Sequence, residues 1–184
     1  MNVPTLNEMK TIVENRIVDL IADFEQAYSA VCKYPVTLPK EIEFTKRGGI
    51  AGWCSYHESA SDHWASLNFN PTLMKENWDK FDQTVVHEVA HFCVFLMKGV
   101  IRSRAGNVTH HGTDWKRMMS FFGVTAERCH SYNTTSSVTR RVKRYSYKCD
   151  CMTHEVSSII HNRMVEKGRR YHCRSCKSYI VFVG

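Results

Sequence analysis

The sequence predicts an α+β fold in which helices pack on a small, mainly antiparallel sheet, followed by a separate module stapled by cysteines. Three observations carry that prediction. A helical apolar run over residues 85–97 contains His87-Glu88-Val89-Ala90-His91; three short strand patterns precede it between residues 42 and 69; and both the positive charge and half of the eight cysteines gather near the end of the chain.

The elements follow in order. Thr5-Leu6-Asn7-Glu8 is a capping box, in which the threonine hydroxyl and the glutamate three residues later each satisfy a backbone N–H at a helix start. Leu6, Met9, Val13, Leu20, Phe24, Ala27 and Val31 then trace one apolar face, so a helix is expected to run to about Pro35 and to lie across the back of the sheet. Strands are expected at residues 42–46, 50–56 and 64–69, with Gly48-Gly49 turning between the first two. In the third, Ala65, Leu67 and Phe69 face one way and Trp64, Ser66 and Asn68 the other. Asn70-Pro71 reads as the N-cap and first position of a short helix. The histidine-bearing helix is expected from near Asp79 to Lys98-Gly99, and Thr113 is expected to cap a further helix through Trp115, Met118, Met119 and Phe122, closed by Gly123. Thr134-Thr135-Ser136-Ser137 reads as a linker, giving domains at 1–135 and 136–184.

The histidine helix carries the chemistry. Four residues at about 100° each place His87 and His91 within about 40° of one another, one turn apart, so both imidazoles can reach one metal ion. Glu88 stands beside them, free to act as a base toward water, and this H-E-x-x-H spacing is the zinc-hydrolase signature. Catalytic zinc takes three protein ligands and keeps one position open. The third is read as His111, just before a tight turn at Gly112 and the start of a helix, with the adjacent His110 as its direct competitor.

Charge and cysteines set the end of the chain apart. Residues 1–123 hold 13 Lys and Arg against 14 Asp and Glu, net −1, whereas residues 124–184 hold 12 against 4, net +8. Arg140, Arg141, Lys143 and Arg144 form one basic run and Lys167-Gly168-Arg169-Arg170 another, interleaved with Tyr145, Tyr147, Tyr171 and Tyr179. Cations that neutralise phosphates beside rings that stack on bases suit a nucleic-acid surface, and Arg140, Arg141, Lys143, Arg144, Tyr145, Arg169, Arg170 and Tyr171 are its candidate contacts. The alternative is a solvated basic face with tyrosines packed in a small core. Cys149-Asp150-Cys151 and Cys173-Arg174-Ser175-Cys176 have the layout of a zinc ribbon with a hairpin between the pairs, a four-thiolate structural site in which His154 could replace Cys151. Cys32, Cys54, Cys93 and Cys129 are scattered singly, which fits reduced thiols rather than a disulfide framework.

Ala51-Gly52, Leu67-Asn68-Phe69-Asn70-Pro71, the His87–His91 motif, His111-Gly112 and Asp114-Trp115-Lys116-Arg117-Met118-Met119 resemble the successive motifs of the SprT family. Tyr147-Lys148-Cys149-Asp150-Cys151, His154, His161-Asn162-Arg163, Gly168 and Tyr171-His172-Cys173-Arg174-Ser175-Cys176 are similar to the bacterial SprT zinc ribbon, so the likeness spans roughly residues 36–182. The resemblance implies a zincin-like metalloprotease domain with His87, His91 and His111 as zinc ligands and Glu88 as base. It also implies kinship with Spartan-type proteases, which bind DNA and degrade proteins crosslinked to it. Nothing in the chain resembles the long disordered tails of eukaryotic Spartan proteins. A nucleic-acid-binding regulator with a silent zincin site is the competing reading.

Further expectations complete the reading. The partners expected are DNA, single-stranded or junction-containing, and DNA-bound protein substrates, with no membrane. Residues 1–10 lack a secretory pattern and no apolar run reaches a membrane span, so a cytoplasmic location is expected, at the nucleoid or, for a phage-encoded copy, in the host. The third strand, residues 64–69, is the expected edge for an extended substrate. Tyr56, His63 and His110 are weighed as oxyanion stabilisers. Cys54 is weighed as a latency ligand against a plain buried thiol, and Trp53, Trp64, Trp78 and Trp115 are read as packing residues.

Overall fold

The computed structural model describes residues 4–103, 105–106, 108–127, 132 and 143–183, and the chain divides into two compact units, Met1–Val138 and Thr139–Gly184. Arg140, Arg141, Cys129 and the linker expected at 134–137 lie outside the described residues. The fold is α+β, and no helix is long and apolar enough to cross a membrane among the described residues.

In the first unit, α1 (Leu6–Tyr28) starts on the expected capping box: Thr5 Oγ1 accepts from Glu8 N–H at 3.3 Å while the Glu8 carboxylate accepts from Thr5 N–H at 2.7 Å. Met9, Val13, Ile17, Leu20, Ile21 and Phe24 form its buried face. The helix ends before Pro35, passing through a 3-10 turn at Ser29–Val31 that leaves Val31 exposed. The reason lies in the next residues. Lys33 and Tyr34 N–H donate to Met97 O and Leu96 O at 3.1 and 3.0 Å, satisfying carbonyls that the end of another helix would otherwise leave bare. That helix is α3 (Phe81–Lys98), and α1 packs chiefly on it; α3, rather than α1, covers the sheet.

The sheet has the order β1-β3-β2, with β1 at Ile42–Glu43, β2 at Gly52–Glu58 and β3 at His63–Phe69. β2 and β3 are antiparallel from Gly52↔Phe69 to Glu58↔His63, while β1 runs parallel to β3 over Ile42↔Leu67 and Glu43↔Asn68. The first strand leaves its regular ladder before Lys46 because a side chain of β3 intervenes, although Lys46 N–H still reaches Phe69 O at 3.1 Å. Asn68 Oδ1 accepts from Thr45 and Lys46 N–H at 3.1 and 2.9 Å, and its Nδ2 donates to the Glu43 carboxylate at 2.7 Å. Ala65, Leu67 and Phe69 are buried and Trp64, Ser66 and Asn68 half-buried, as the alternation predicts. β3 is the central strand, so the expectation that it offers an edge to substrate is corrected: among the described residues the edge strands are the two-residue β1 and the seven-residue β2.

α2 (Pro71–Glu76) is capped by Asn70, whose Oδ1 accepts from Thr72 and Leu73 N–H while its Nδ2 donates to Gly48 O and Ile50 O at 2.9 and 3.1 Å. One buried amide thereby starts a helix and pins the loop leading into β2. α3 begins slightly later than Asp79, because Trp78–Lys80 winds as a 3-10 turn. α4 (Thr113–Phe121) has Gly112 as its N-cap, so Thr113 is the first helical residue and makes no capping bond, contrary to expectation. Its end is as predicted: Gly123 sits at φ 73°, Val124 N–H donates to Met119 O and Gly123 N–H to Ser120 O, both at 3.0 Å, which is a Schellman motif. Lys98 Nζ to Asp114 Oδ1, 2.7 Å, ties the end of α3 to the start of α4.

The second unit contains β4 (Arg144–Lys148), β5 (Thr153–Ser157), α5 (Ser158–Val165) and β6 (Val181–Phe182), in the order β5-β4-β6 with β4 antiparallel to both neighbours. The hairpin straddles the first cysteine pair instead of lying between the pairs, and β5 and α5 fill that interval. Only Tyr147, Cys149, Cys173 and Ile180 form its buried cluster among the described residues.

Candidate functional site

His87 and His91 project from α3 and His111 arrives from the loop before α4, so that the three Nε2 atoms form a triangle with sides of 3.2, 3.2 and 3.1 Å. A tetrahedral zinc with bonds of about 2.0–2.1 Å would set its nitrogen ligands about 3.3 Å apart, so the donor set fits that ion in kind and in spacing. Trp115, fully buried on α4, makes ring contact with all three histidines at 4.8, 5.6 and 4.6 Å, and its indole N–H points to His87 O at 3.4 Å. This packing residue is thus the plate against which the triangle is assembled. Burial, reinforced by His87, His111 and His110, pushes His91 down to about 2, which keeps it in the neutral form a ligand requires. His110 is exposed, its ring 6.3 Å from that of His91, and stands outside the triangle.

Glu88 is buried beside the triangle. Burial pushes its carboxyl up to about 8, opposed by the Cys54 backbone N–H and by Lys46. The strand yields room for it at Gly52, where a Cβ would lie 2.6 Å from Glu88 Cγ and 2.9 Å from Thr84 Cγ2. Ladder parity explains the Cys54 bond. Asn70 N–H donates to Ala51 O at 2.8 Å, and antiparallel alternation then turns the backbone of Trp53 and Ser55 toward β3 and that of Gly52, Cys54 and Tyr56 to the open edge. Glu88 therefore meets β2 at its unpaired side.

A cavity of about 460 Å³ opens onto the triangle and Glu88. Tyr56 and His110 both line it, with ring centroids 6.4 Å apart; His63 does not, being stacked on Tyr34 at 3.9 Å. The Tyr56 phenol is pushed well above its ordinary range, first by burial and then by Cys54 and Glu88. Cys54 is a buried thiol raised by burial, hydrogen-bonded to the Tyr56 side chain and outside the imidazole group, as its plain reading expects. Trp53 stands exposed at the rim with Lys46 Nζ 4.8 Å from its ring, Trp64 lies under Lys40 at 4.5 Å, and Trp78 packs on the core. Sequence reasoning missed Thr84, Val124 and Tyr132 as cavity walls and gave Met119 no role beyond packing. Thr84 had a signal, standing one turn before Glu88 on the same helix; Tyr132 had none.

In the second unit Cys149, Cys151, Cys173 and Cys176 bring their sulfurs within 4.8 Å of one another. Cys149 to Cys151 is 3.5 Å and Cys151 to Cys173 3.7 Å, close to the roughly 3.8 Å separating thiolates on a tetrahedral zinc with bonds of about 2.3 Å. His154 Nε2 contacts Cys149 Sγ at 3.2 Å, from outside that group. The Ser178 hydroxyl and backbone N–H draw Cys176 down to about 6, and the backbone N–H groups of Cys176 and Ser175 lower Cys173, so the knuckle favours thiolates. The neighbouring thiols raise Cys151, as crowded sulfurs do before a cation joins them.

The basic residues Lys143, Arg144, Arg169 and Arg170 are exposed. Tyr145 is half-buried with its ring stacked on His161 at 3.6 Å, and Tyr171 packs against the small core, so neither ring is fully open. Tyr179, 48% exposed, stands between His172 at 4.3 Å and Arg170 at 5.4 Å and is the more accessible stacking surface.

Comparison with known proteins agrees with the motifs. The SprT-like family model matches residues 19–141. "Protein SprT" of Pseudomonas paraeruginosa (strain PA7) is 38% identical over 155 residues, covering 80% of this chain and 84% of that protein. The proteins of the same name from Pseudomonas syringae pv. syringae (strain B728a) and Pseudomonas fluorescens (strain Pf0-1) are 35% and 33% identical, each over 94% of both chains, and so reach into the cysteine-bearing unit. No solved structure matches the chain. With the imidazole triangle consistent with a metallopeptidase, and these relatives covering most of its length, the chain belongs to the SprT-like family.

Proposed function

We propose that this protein is a zincin-type, zinc-dependent metalloprotease that hydrolyses peptide bonds in proteins bound or crosslinked to DNA. The observation that carries the reading is the convergence of three imidazole Nε2 atoms and one buried carboxyl on a single cavity beside an unpaired strand edge. A silent or purely structural site has no use for a buried base next to its ligands. Zinc held by His87, His91 and His111 would supply Lewis acidity toward the scissile carbonyl at one open position. Glu88 takes the proton of the attacking water on its carboxylate and returns it to the departing amine. The Cys54 N–H fixes the orientation of the carboxylate. The backbone of Gly52, Cys54 and Tyr56 orders an extended substrate by strand addition, a mode that asks little of most substrate side chains. Cys149, Cys151, Cys173 and Cys176 would hold a second, structural zinc.

The DNA association rests on charge, net +8 in residues 124–184 against −1 before them. The test is to incubate the zinc-loaded protein with a DNA-binding substrate, with and without DNA, beside the Glu88→Gln variant. Cleavage by the wild type that DNA accelerates and the variant lacks is expected. Cleavage indifferent to DNA would remove the DNA-bound substrate from the proposal, and cleavage by Glu88→Gln at the wild-type rate would remove the mechanism.

A further inference from the structure

Part of the cavity wall, beyond the imidazoles and Glu88, is apolar. Met119 and Val124 both line it, and the Schellman motif that ends α4 ties them at the backbone: Val124 N–H donates to Met119 O, at the two positions whose side chains such caps commonly pair. Met119 is fully buried and Val124 half-buried, and Ile50 and Ala51 continue the apolar lining from the loop before β2. The inner polar groups are already partnered. Thr84 Oγ1 is bonded to the Tyr132 hydroxyl at 2.9 Å, that hydroxyl donates to Lys80 O at 3.0 Å, and Glu88 is engaged by the Cys54 N–H. Gln83, Thr125 and Glu127 also line the cavity, but all three are exposed. Among the described residues the inner wall offers a charged substrate side chain no uncommitted partner beyond the catalytic group itself, so such a side chain would be costly to bury there, whereas an apolar one would not.

We infer that this part of the cavity is a side-chain subsite selecting a bulky apolar residue of the substrate next to the scissile bond, with Val124 and Met119 as its specificity-determining wall. The inference rests on the protease reading and adds a preference to it: a strand-ordered substrate that is otherwise loosely chosen is cut where a leucine-, methionine- or phenylalanine-sized side chain can enter. A volume of about 460 Å³ accommodates such a side chain together with the reacting peptide group. Pockets of this kind discriminate by about 10- to 200-fold per methylene at best, so a leucine-to-alanine difference of tenfold or more is the expected scale.

The test uses the full-length zinc-loaded protein and a peptide series differing only at one position, carrying Leu, Phe, Ala, Lys or Asp, with cleavage sites read by mass spectrometry. Wild type is expected to cut beside Leu and Phe at least about tenfold faster, in kcat/KM, than beside Ala, Lys or Asp. Val124→Trp, at a half-buried position on the cavity side of a loop, should erase most of that advantage, bringing the Leu-to-Ala ratio in kcat/KM close to one. Since a tryptophan there could disturb the helix end, Val124→Ala serves as the second variant. It should shift preference from Leu toward Phe without narrowing the site, and zinc content and thermal midpoint report its fold. Equal cleavage of all peptides by wild type, preference for Lys or Asp, or an unchanged Leu-to-Ala ratio in both variants would overturn the subsite while leaving the protease intact. Failure of wild type to cut any peptide or protein would overturn the protease reading and the subsite with it.

Discussion

The two ligand clusters of this chain are built on opposite principles. The imidazole triangle is a minor part of a unit whose core runs from α1 through the sheet to Trp115, with Phe24, Phe69, Phe81, Phe92 and Phe95 all fully buried. The thiol cluster is itself much of the core of its unit: Cys149 and Cys173 are two of the four buried members of that cluster, and Ile159, Val165, Val181 and Val183 remain more than half exposed. One site is held in place by a fold; the other, with the proposed zinc bound, would hold a fold in place. So small an apolar core contributes little, and a structural zinc, with apparent binding energies of about 10–16 kcal/mol, can supply the difference.

The largest effect expected from this contrast is therefore on metal removal. A strong chelator is expected to unfold the second unit while the first keeps its helices and its cooperative melt, as read by amide exchange of β4 and β5 against that of α3. Elemental analysis should find one zinc per site before treatment, and a truncation ending near Thr135 should retain one. Simultaneous loss of both units' protection would show that the triangle is as structural as the thiols.

Next in size is Glu88→Gln. It removes the base without touching a ligand, and proton transfer of this kind is worth about 10²- to 10⁴-fold, so turnover should fall on that scale at unchanged zinc content and thermal midpoint. Gly52→Ala probes the same carboxyl from the strand. A Cβ at 2.6 Å from Glu88 Cγ must displace it, and misplacement by about 1 Å can cost about 10²-fold, with kcat falling more than KM rises. Full activity in Gly52→Ala would mean that Glu88 has freedom the close approach denies.

How legible the chain was follows the same division. Local rules were readable: the capping box of α1, the Asn70 cap, the Schellman end of α4 and the alternation of β3 all depend on residues within a few positions of one another. So was the helical pair His87 and His91. What depended on distant partners was not. The first strand ends early because Asn68, more than twenty residues on, takes its backbone, and α1 ends early because Lys33 and Tyr34 cap α3. Strand order cannot be read from the order of strand patterns, so the edge was assigned to β3 although the parallel β1 covers it. Trp115 was readable as packing and not as the plate under three histidines, because His87 and His91, on another helix, reach it only through the tertiary fold.

A smaller effect distinguishes the tyrosines of the second unit. Tyr179→Ala should weaken binding to single-stranded DNA by about 1–3 kcal/mol if its ring, 48% exposed, stacks on a base, and Tyr145→Ala by less, since that ring is half-buried and packed closely on His161. Neutralising Lys143, Arg144, Arg169 and Arg170 should instead flatten the salt dependence without altering sequence preference. Fluorescence titrations at several salt concentrations separate the two, and a steeper loss for Tyr145→Ala would reverse the assignment.

The smallest effect expected, and the one confined to the first unit, is a pH dependence at Glu58. Its carboxylate accepts from Lys33 Nζ at 2.6 Å and from Val100 N–H at 3.0 Å, and it is bonded to the Tyr34 hydroxyl, so one side chain joins the end of β2 to the segment after α1 and to the turn at Gly99. Lys33, then Tyr34 and the Val100 N–H, hold it down at about 2, against an ordinary value of 4.5. In the unfolded chain the group takes up its proton at the higher pH. The clamp therefore contributes its full stability above about pH 4.5 and loses it progressively as pH falls toward 2. Glu58→Gln should accordingly be less stable than wild type at pH 7, with the gap closing on acidification. Urea midpoints of the two proteins, followed through a first-unit signal such as the α3 amides, keep the acid-sensitive thiol cluster out of the difference. A gap that stays constant to pH 3, or widens, would show that the Lys33 and Val100 contacts do not persist in solution.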